Sequence, residues 1–139
     1  MFNDLIFKKV DANNYELVED LIFKNNKYEI IVKKYFKTDG ASIPKILQNI
    51  FGPFSGNYTK AAVIHDALYQ SNSLNRATND LLFLEMMKDL ETNFLTRYSM
   101  YYAVKIFGFL SYKEYSLEHI LKIKKYIIIK INGVEVWKI

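Results

Sequence analysis

His65 is the side chain with the most chemistry open to it. The chain has two histidines and no cysteine, so imidazole is the group best placed to exchange a proton near neutral pH. On a helix the same-face neighbours lie three and four residues away. For His65 these are Ala61, Ala62, Leu68 and Tyr69. All are apolar or aromatic, so the ring is expected to point into the interior. A buried imidazole needs a hydrogen-bond partner for at least one nitrogen. Asp80 poses the matching problem, because Phe83, Leu84 and Met87 follow it on one helical face. A carboxylate on such a stripe is costly to bury alone. The separation of the two residues lets one helix end and a second return antiparallel. The sequence therefore predicts a His65–Asp80 hydrogen bond, with Arg76, one turn before Asp80, competing for the same carboxylate.

A histidine held in this way keeps one tautomer and can act as general base toward water on its free nitrogen. Asp66 follows it, about 100° around the helix, and could face the same cleft. A carboxylate there could hold calcium, which also accepts backbone carbonyls as ligands. The alternative is a structural pair that locks two helices together. Asp39 stands in an Asp-Gly turn. It reads either as a site residue beside the His65 helix or as an acceptor for backbone N–H groups around Ser42. Tyr98, Tyr101, Tyr102 and Lys105 share one helical stripe and read mainly as packing. His119, beside Glu118, reads as a surface residue.

The elements that must position these residues follow from the pattern. With 139 residues and 16.4 kDa, one domain is expected. Half the residues are hydrophobic and 24% charged, which excludes a disordered chain. The absence of cysteine excludes thiol catalysis, cysteine-based zinc sites and a disulfide scaffold. Residues 5–7, 15–23 and 28–36 read as strands of one antiparallel meander, turning at Asn25-Asn26. A helical turn is expected over 44–50, capped by Ser42 with Pro44 in its first turn. Helices are expected over 58–69, 76–90 and 93–109, the last ended by Gly108. Residues 126–131 and 134–137 flank Asn132-Gly133, a strong hairpin signal. The whole reads as α+β: antiparallel strands from both ends around a central three-helix unit.

The net charge of +4 is concentrated near Lys122, Lys124 and Lys125. Such a patch reads first as a solvated face, and second as a contact for phosphate or lipid headgroups. No secretory signal is visible at the first residues, and Arg97 and Lys105 interrupt the longest apolar stretch, so no membrane-spanning helix is expected. Walker loops, dinucleotide fingerprints, nucleophile elbows and His-Glu-x-x-His helices are absent from the sequence. No specific nucleic-acid binding is expected.

Four blocks carry a resemblance: Thr38-Asp39-Gly40-Ala41-Ser42-Ile43-Pro44, Ala61-Ala62-Val63-Ile64-His65-Asp66-Ala67-Leu68-Tyr69, Arg76-Ala77-Thr78-Asn79-Asp80, and Tyr102-Ala103-Val104-Lys105-Ile106-Phe107-Gly108. Together they resemble a family of small phage and prophage proteins known only as a domain of unknown function. That likeness implies a phage or prophage origin and no activity. Locally, His65-Asp66-Ala67-Leu68-Tyr69 is similar to the His-Asp-x-x-Tyr helix of secreted and parvoviral phospholipases A2. The similarity implies His65 as general base, Asp66 as calcium ligand and Asp80 as the acid that orients His65. Gly52-Pro53 stands before the helix, as a calcium loop does in the parvoviral type. The expectation is a hydrolase acting on membrane lipid as a phage enters or lyses its host. The alternatives are a non-catalytic virion or assembly component that contacts other virion proteins, and a small phage protein that binds a host factor.

Overall fold

In the computed structural model the described residues are 1–11, 14–38, 56–107 and 115–136. The fold is α+β, with two antiparallel sheets and, among the described residues, four α-helices. The first sheet holds β1 (Phe7–Lys9), β2 (Tyr15–Leu17) and β5 (Lys37–Thr38), in the order β1-β2-β5. The second holds β3 (Leu21–Lys24), β4 (Tyr28–Val32), β6 (Ile127–Ile131) and β7 (Val134–Glu135), in that order. Strands from both ends of the chain thus meet where β4 pairs with β6, in the register Ile30↔Ile129 and Val32↔Ile127. These four side chains are buried and their neighbours along each strand are more open, the period-2 alternation of a sheet with one face on the core.

Residues 15–23 do not form one strand, and 5–36 do not form one meander. The chain breaks at Val18-Glu19-Asp20 and changes sheet. Asp20 supplies the physical reason. Its Oδ1 accepts from the Lys34 N–H at 2.9 Å and its carbonyl accepts from Asn3 Nδ2 at 2.7 Å. A short acid that binds distant backbone competes with continuation of the ladder.

The helices are α1 (Thr59–Ser71), preceded by a 3-10 turn at Gly56–Tyr58, then α2 (Arg76–Asp89), α3 (Phe94–Phe107) and α4 (Leu117–Lys124). The central unit therefore has a fourth helix beyond the expected three. Ser116 caps it by accepting from the His119 N–H at 3.2 Å, and Ile123 is buried beneath it. The expected turn at 44–50, Ser42, Pro44, Gly52-Pro53, Gly108 and Trp137 lie outside the described residues.

Helix α1 is the centre of the molecule. Every residue from Ala61 to Tyr69 is buried, as befits a helix that is apolar nearly all round. It packs against α2, α4, β4 and β5. Asn72 ends it in the left-handed region, at φ 50, a conformation that asparagine tolerates. Asn75 then starts α2, its side chain accepting from the Thr78 N–H at 2.8 Å, the usual N-cap contact. Two asparagines thus bracket a tight reversal that lays α2 back along α1.

Candidate active site

That reversal brings His65 of α1 and Asp80 of α2 into contact. His65 Nε2 lies 2.9 Å from Asp80 Oδ1; the imidazole is 0% and Asp80 3% exposed. Tyr69, one turn after His65, donates its hydroxyl to the same Oδ1 at 2.5 Å. Arg76 Nε stands 3.7 Å from the other oxygen, Oδ2. Arg76 does not compete with His65: the carboxylate serves both, one oxygen each. The guanidinium also donates through NH2 to the Val104 and Lys105 carbonyls, at 2.9 and 2.5 Å. It thereby fastens α2 to the C-terminal turn of α3, where a cation is favoured. The His65 ring lies against Phe83, with centroids 4.6 Å apart, and against Tyr69 at 4.2 Å.

Burial pushes the His65 pKa below its ordinary value. The Asp80 hydrogen bond and charge oppose this, and the Arg76 charge adds to it. The ring is therefore neutral near pH 7. With a carboxylate oxygen at Nε2, that nitrogen carries the proton and donates. Nδ1 is left with its lone pair, buried and without a hydrogen-bond partner among the described residues. Burial and the adjoining Asp80 raise the Tyr69 phenol well above its ordinary value, so it remains a donor to the carboxylate.

The lowered His65 pKa carries a sign for stability. Between the folded pKa and 6.5 the unfolded chain holds a proton that the folded chain does not. The contribution is full above 6.5 and is lost as pH falls toward the folded value, at up to about 1.4 kcal/mol per pH unit. In urea titrations from pH 8 to 5, the His65→Gln protein should show a shallower loss than the wild type. Parallel curves would mean that the buried ring is not kept neutral.

Asp66 is 6% exposed and accepts from Gln70 Nε2 at 3.0 Å. Among the described residues there is no group of three or more His, Asp or Glu side chains that could hold a metal ion. Asp39 lies outside the described residues. A cleft of about 410 Å³ is lined by Arg76, Ala77, Asp80, Leu81, Tyr101 and Lys105; it reaches the acid of the pair rather than the imidazole. Of the tyrosine stripe, Tyr101 is buried and Tyr102 is exposed, so it is part packing and part surface. His119 is half-buried and stacks on Tyr115, with centroids 4.3 Å apart; it is not a simple surface residue. The Gln70–Asp66 bond and the grip of Arg76 on α3 are contacts around the pair that sequence reasoning missed. The i,i+4 spacing of Asp66 and Gln70 was the one available signal for either.

Comparison with known proteins adds three findings. No solved structure matches the chain. A 96-residue stretch, 68% of this chain, is 33% identical to "Uncharacterized protein y4jT" of Sinorhizobium fredii (strain NBRC 101917 / NGR234) and spans 29% of that protein's length. The family model described as "Protein of unknown function (DUF1353)" matches residues 15–104, from β2 through most of α3, with both members of the His–Asp pair inside. The chain belongs to the DUF1353 family.

Proposed function

We propose that this protein is a hydrolase of membrane-lipid esters, of phage or prophage origin, in which His65 is the general base. One observation carries the reading: a neutral, buried imidazole bound to an acid through Nε2, with a lone pair on Nδ1 that has no partner among the described residues. In the reaction, Nδ1 takes a proton from water as the water oxygen attacks the ester carbonyl. The imidazolium that forms is stabilised by Asp80, and the proton passes to the leaving alkoxide. Tyr69 and Arg76 hold Asp80 in place. A lipid substrate is supported by α3, where Phe94, Leu95, Tyr102 and Ile106 are exposed and the helix holds Arg97 and Lys105 but no acid. Exposed rings and aliphatic chains among cations suit an anionic membrane surface. No described helix is long and apolar enough to cross a membrane. The assay is fatty-acid release from phosphatidylglycerol vesicles, followed by pH-stat. Sustained release supports the reading, and none from the folded wild-type protein overturns it.

Calcium at Asp66 is a separate proposal. The described residues offer it no group of three or more His, Asp or Glu side chains, against the six to eight oxygens calcium takes, so no catalytic step is routed through a metal. It predicts a melting temperature several degrees higher in millimolar calcium than in chelator, and no such difference in Asp66→Asn. Equal melting in both conditions removes the metal from the reading.

A second reading is favoured by the absence of any exposed surface on His65. In it the same network locks α1 to α2 in a non-catalytic virion component or a host-factor binder. Mass spectrometry of purified particles tests the virion form.

A further inference from the structure

On another side of α1, a second cleft gathers donors of hydrogen bonds. It has a volume of about 230 Å³, and its lining includes Tyr35, Lys37, Gln70, His119, Lys122 and Tyr126. Four elements converge there: the turn after β4, β5, the end of α1 and α4. We propose that this cleft is a binding site for a phosphate group.

The chemistry of the lining carries the assignment. Two ammonium groups, an amide, an imidazole and two phenols surround a space suited to a headgroup-sized anion. Among the described residues no carboxylate lines the cleft, and neither Lys37 nor Lys122 has an ion-pair partner. Glu16, which faces Lys37 across the β2–β5 ladder, is paired with Lys8 at 3.7 Å. Two lysines match the charge of about −1.5 to −2 that a phosphate monoester carries at pH 7. Donors arriving from several sides match its tetrahedral oxygens better than the flat edge of a carboxylate.

The backbone gives independent support. Tyr35 sits in the left-handed region at φ 76, which costs a bulky residue about 1–3 kcal/mol. The turn is held there by Tyr35 N–H to the Leu17 carbonyl at 2.8 Å and by Lys34 N–H to Asp20 Oδ1 at 2.9 Å. Strain of this kind persists where the surroundings fix it, and it clusters at ligand sites. Here it sets Tyr35 at the rim and directs the chain to Lys37. Gln70, which lines the cleft, holds Asp66, so occupancy reaches the residue beside His65 through one amide. His119, Lys122 and Tyr126 fall outside the span matched by the family model; the complete cleft needs more of this chain than the family match covers.

The site goes beyond the hydrolase reading and is tested apart from it. Inorganic phosphate and glycerol 3-phosphate are titrated into the full chain by calorimetry, against sodium chloride of equal ionic strength. Flotation with phosphatidic acid vesicles, against neutral phosphatidylcholine vesicles, forms the second arm. The comparison protein is the exposed-surface double variant K37Q/K122Q. Binding in the first arm, weakened about tenfold or more in that variant, supports a soluble phosphate ligand. Binding in the second arm alone, lost in the same variant, supports a lipid headgroup. No response above the salt control in either arm, or an undiminished response in K37Q/K122Q, overturns the site. Binding retained by H65Q shows that the cleft acts whether or not His65 is a base.

Discussion

His65→Gln is expected to lower vesicle hydrolysis by about 10²–10⁴-fold, the usual contribution of a positioned general base, while leaving a folded protein. Glutamine is close to histidine in length and its amide can donate to Asp80 in place of the Nε2–H. It has no nitrogen lone pair able to take a proton near neutral pH. The variant therefore removes the base and keeps the bridge. It forfeits the ring contacts with Phe83 and Tyr69, worth about 0.5–1.5 kcal/mol each, a modest part of a typical stability of about 5–15 kcal/mol. Hydrolysis at the wild-type rate in folded His65→Gln would place the base elsewhere and end the assignment. The far-ultraviolet spectrum and the urea midpoint establish that the variant is folded.

Asp80→Ala has the largest expected effect on stability, a loss of about 3–5 kcal/mol in urea denaturation. One carboxylate receives the His65 Nε2–H, the Tyr69 hydroxyl and the Arg76 charge. Without it, the buried His65 and Tyr69 donors lose this acceptor and the half-buried Arg76 cation loses its counter-charge in an apolar setting. Asp80→Asn should fall between, since its amide oxygen still accepts while its NH2 group turns a donor toward another donor. A loss under about 1 kcal/mol for Asp80→Ala would mean that the three donors find other acceptors, and that the network does not lock α1 to α2. This outcome is independent of catalysis.

The pairing of His65 with Asp80 was legible because each is a polar residue on an otherwise apolar helical stripe, and two such residues need one another. The share of Tyr69 in the same oxygen was not, since a tyrosine one turn after an interior residue is equally good core. The hold of Arg76 on the Val104 and Lys105 carbonyls depends on where α3 ends relative to α2, which no local pattern contains. The strands were read by their β-branched and aromatic content, which runs unbroken through residues 15–23. The break at Asp20 is set by contacts with Asn3 and Lys34, distant along the chain. Helix α4 is not among the expected helices because Lys122, Lys124 and Lys125 stand out as a charged patch and mask the Ser116 cap and the apolar Leu117, Ile120 and Ile123. Asp39 and the turn at 44–50 lie outside the described residues.

The pairing of β4 with β6 bears on the order of events as the protein is made. Tyr28 finds its partner at Ile131, so the strand that covers β4 leaves the ribosome after all four described helices. The nascent chain can form the α1–α2 reversal, a local event, well before its larger sheet is complete. Until β6 arrives, the edge of β4 presents Tyr-Glu-Ile-Ile-Val as an open template for any other strand. Closing so long a loop is slow relative to helix formation. Chaperone demand and misassembly should therefore concentrate in that interval.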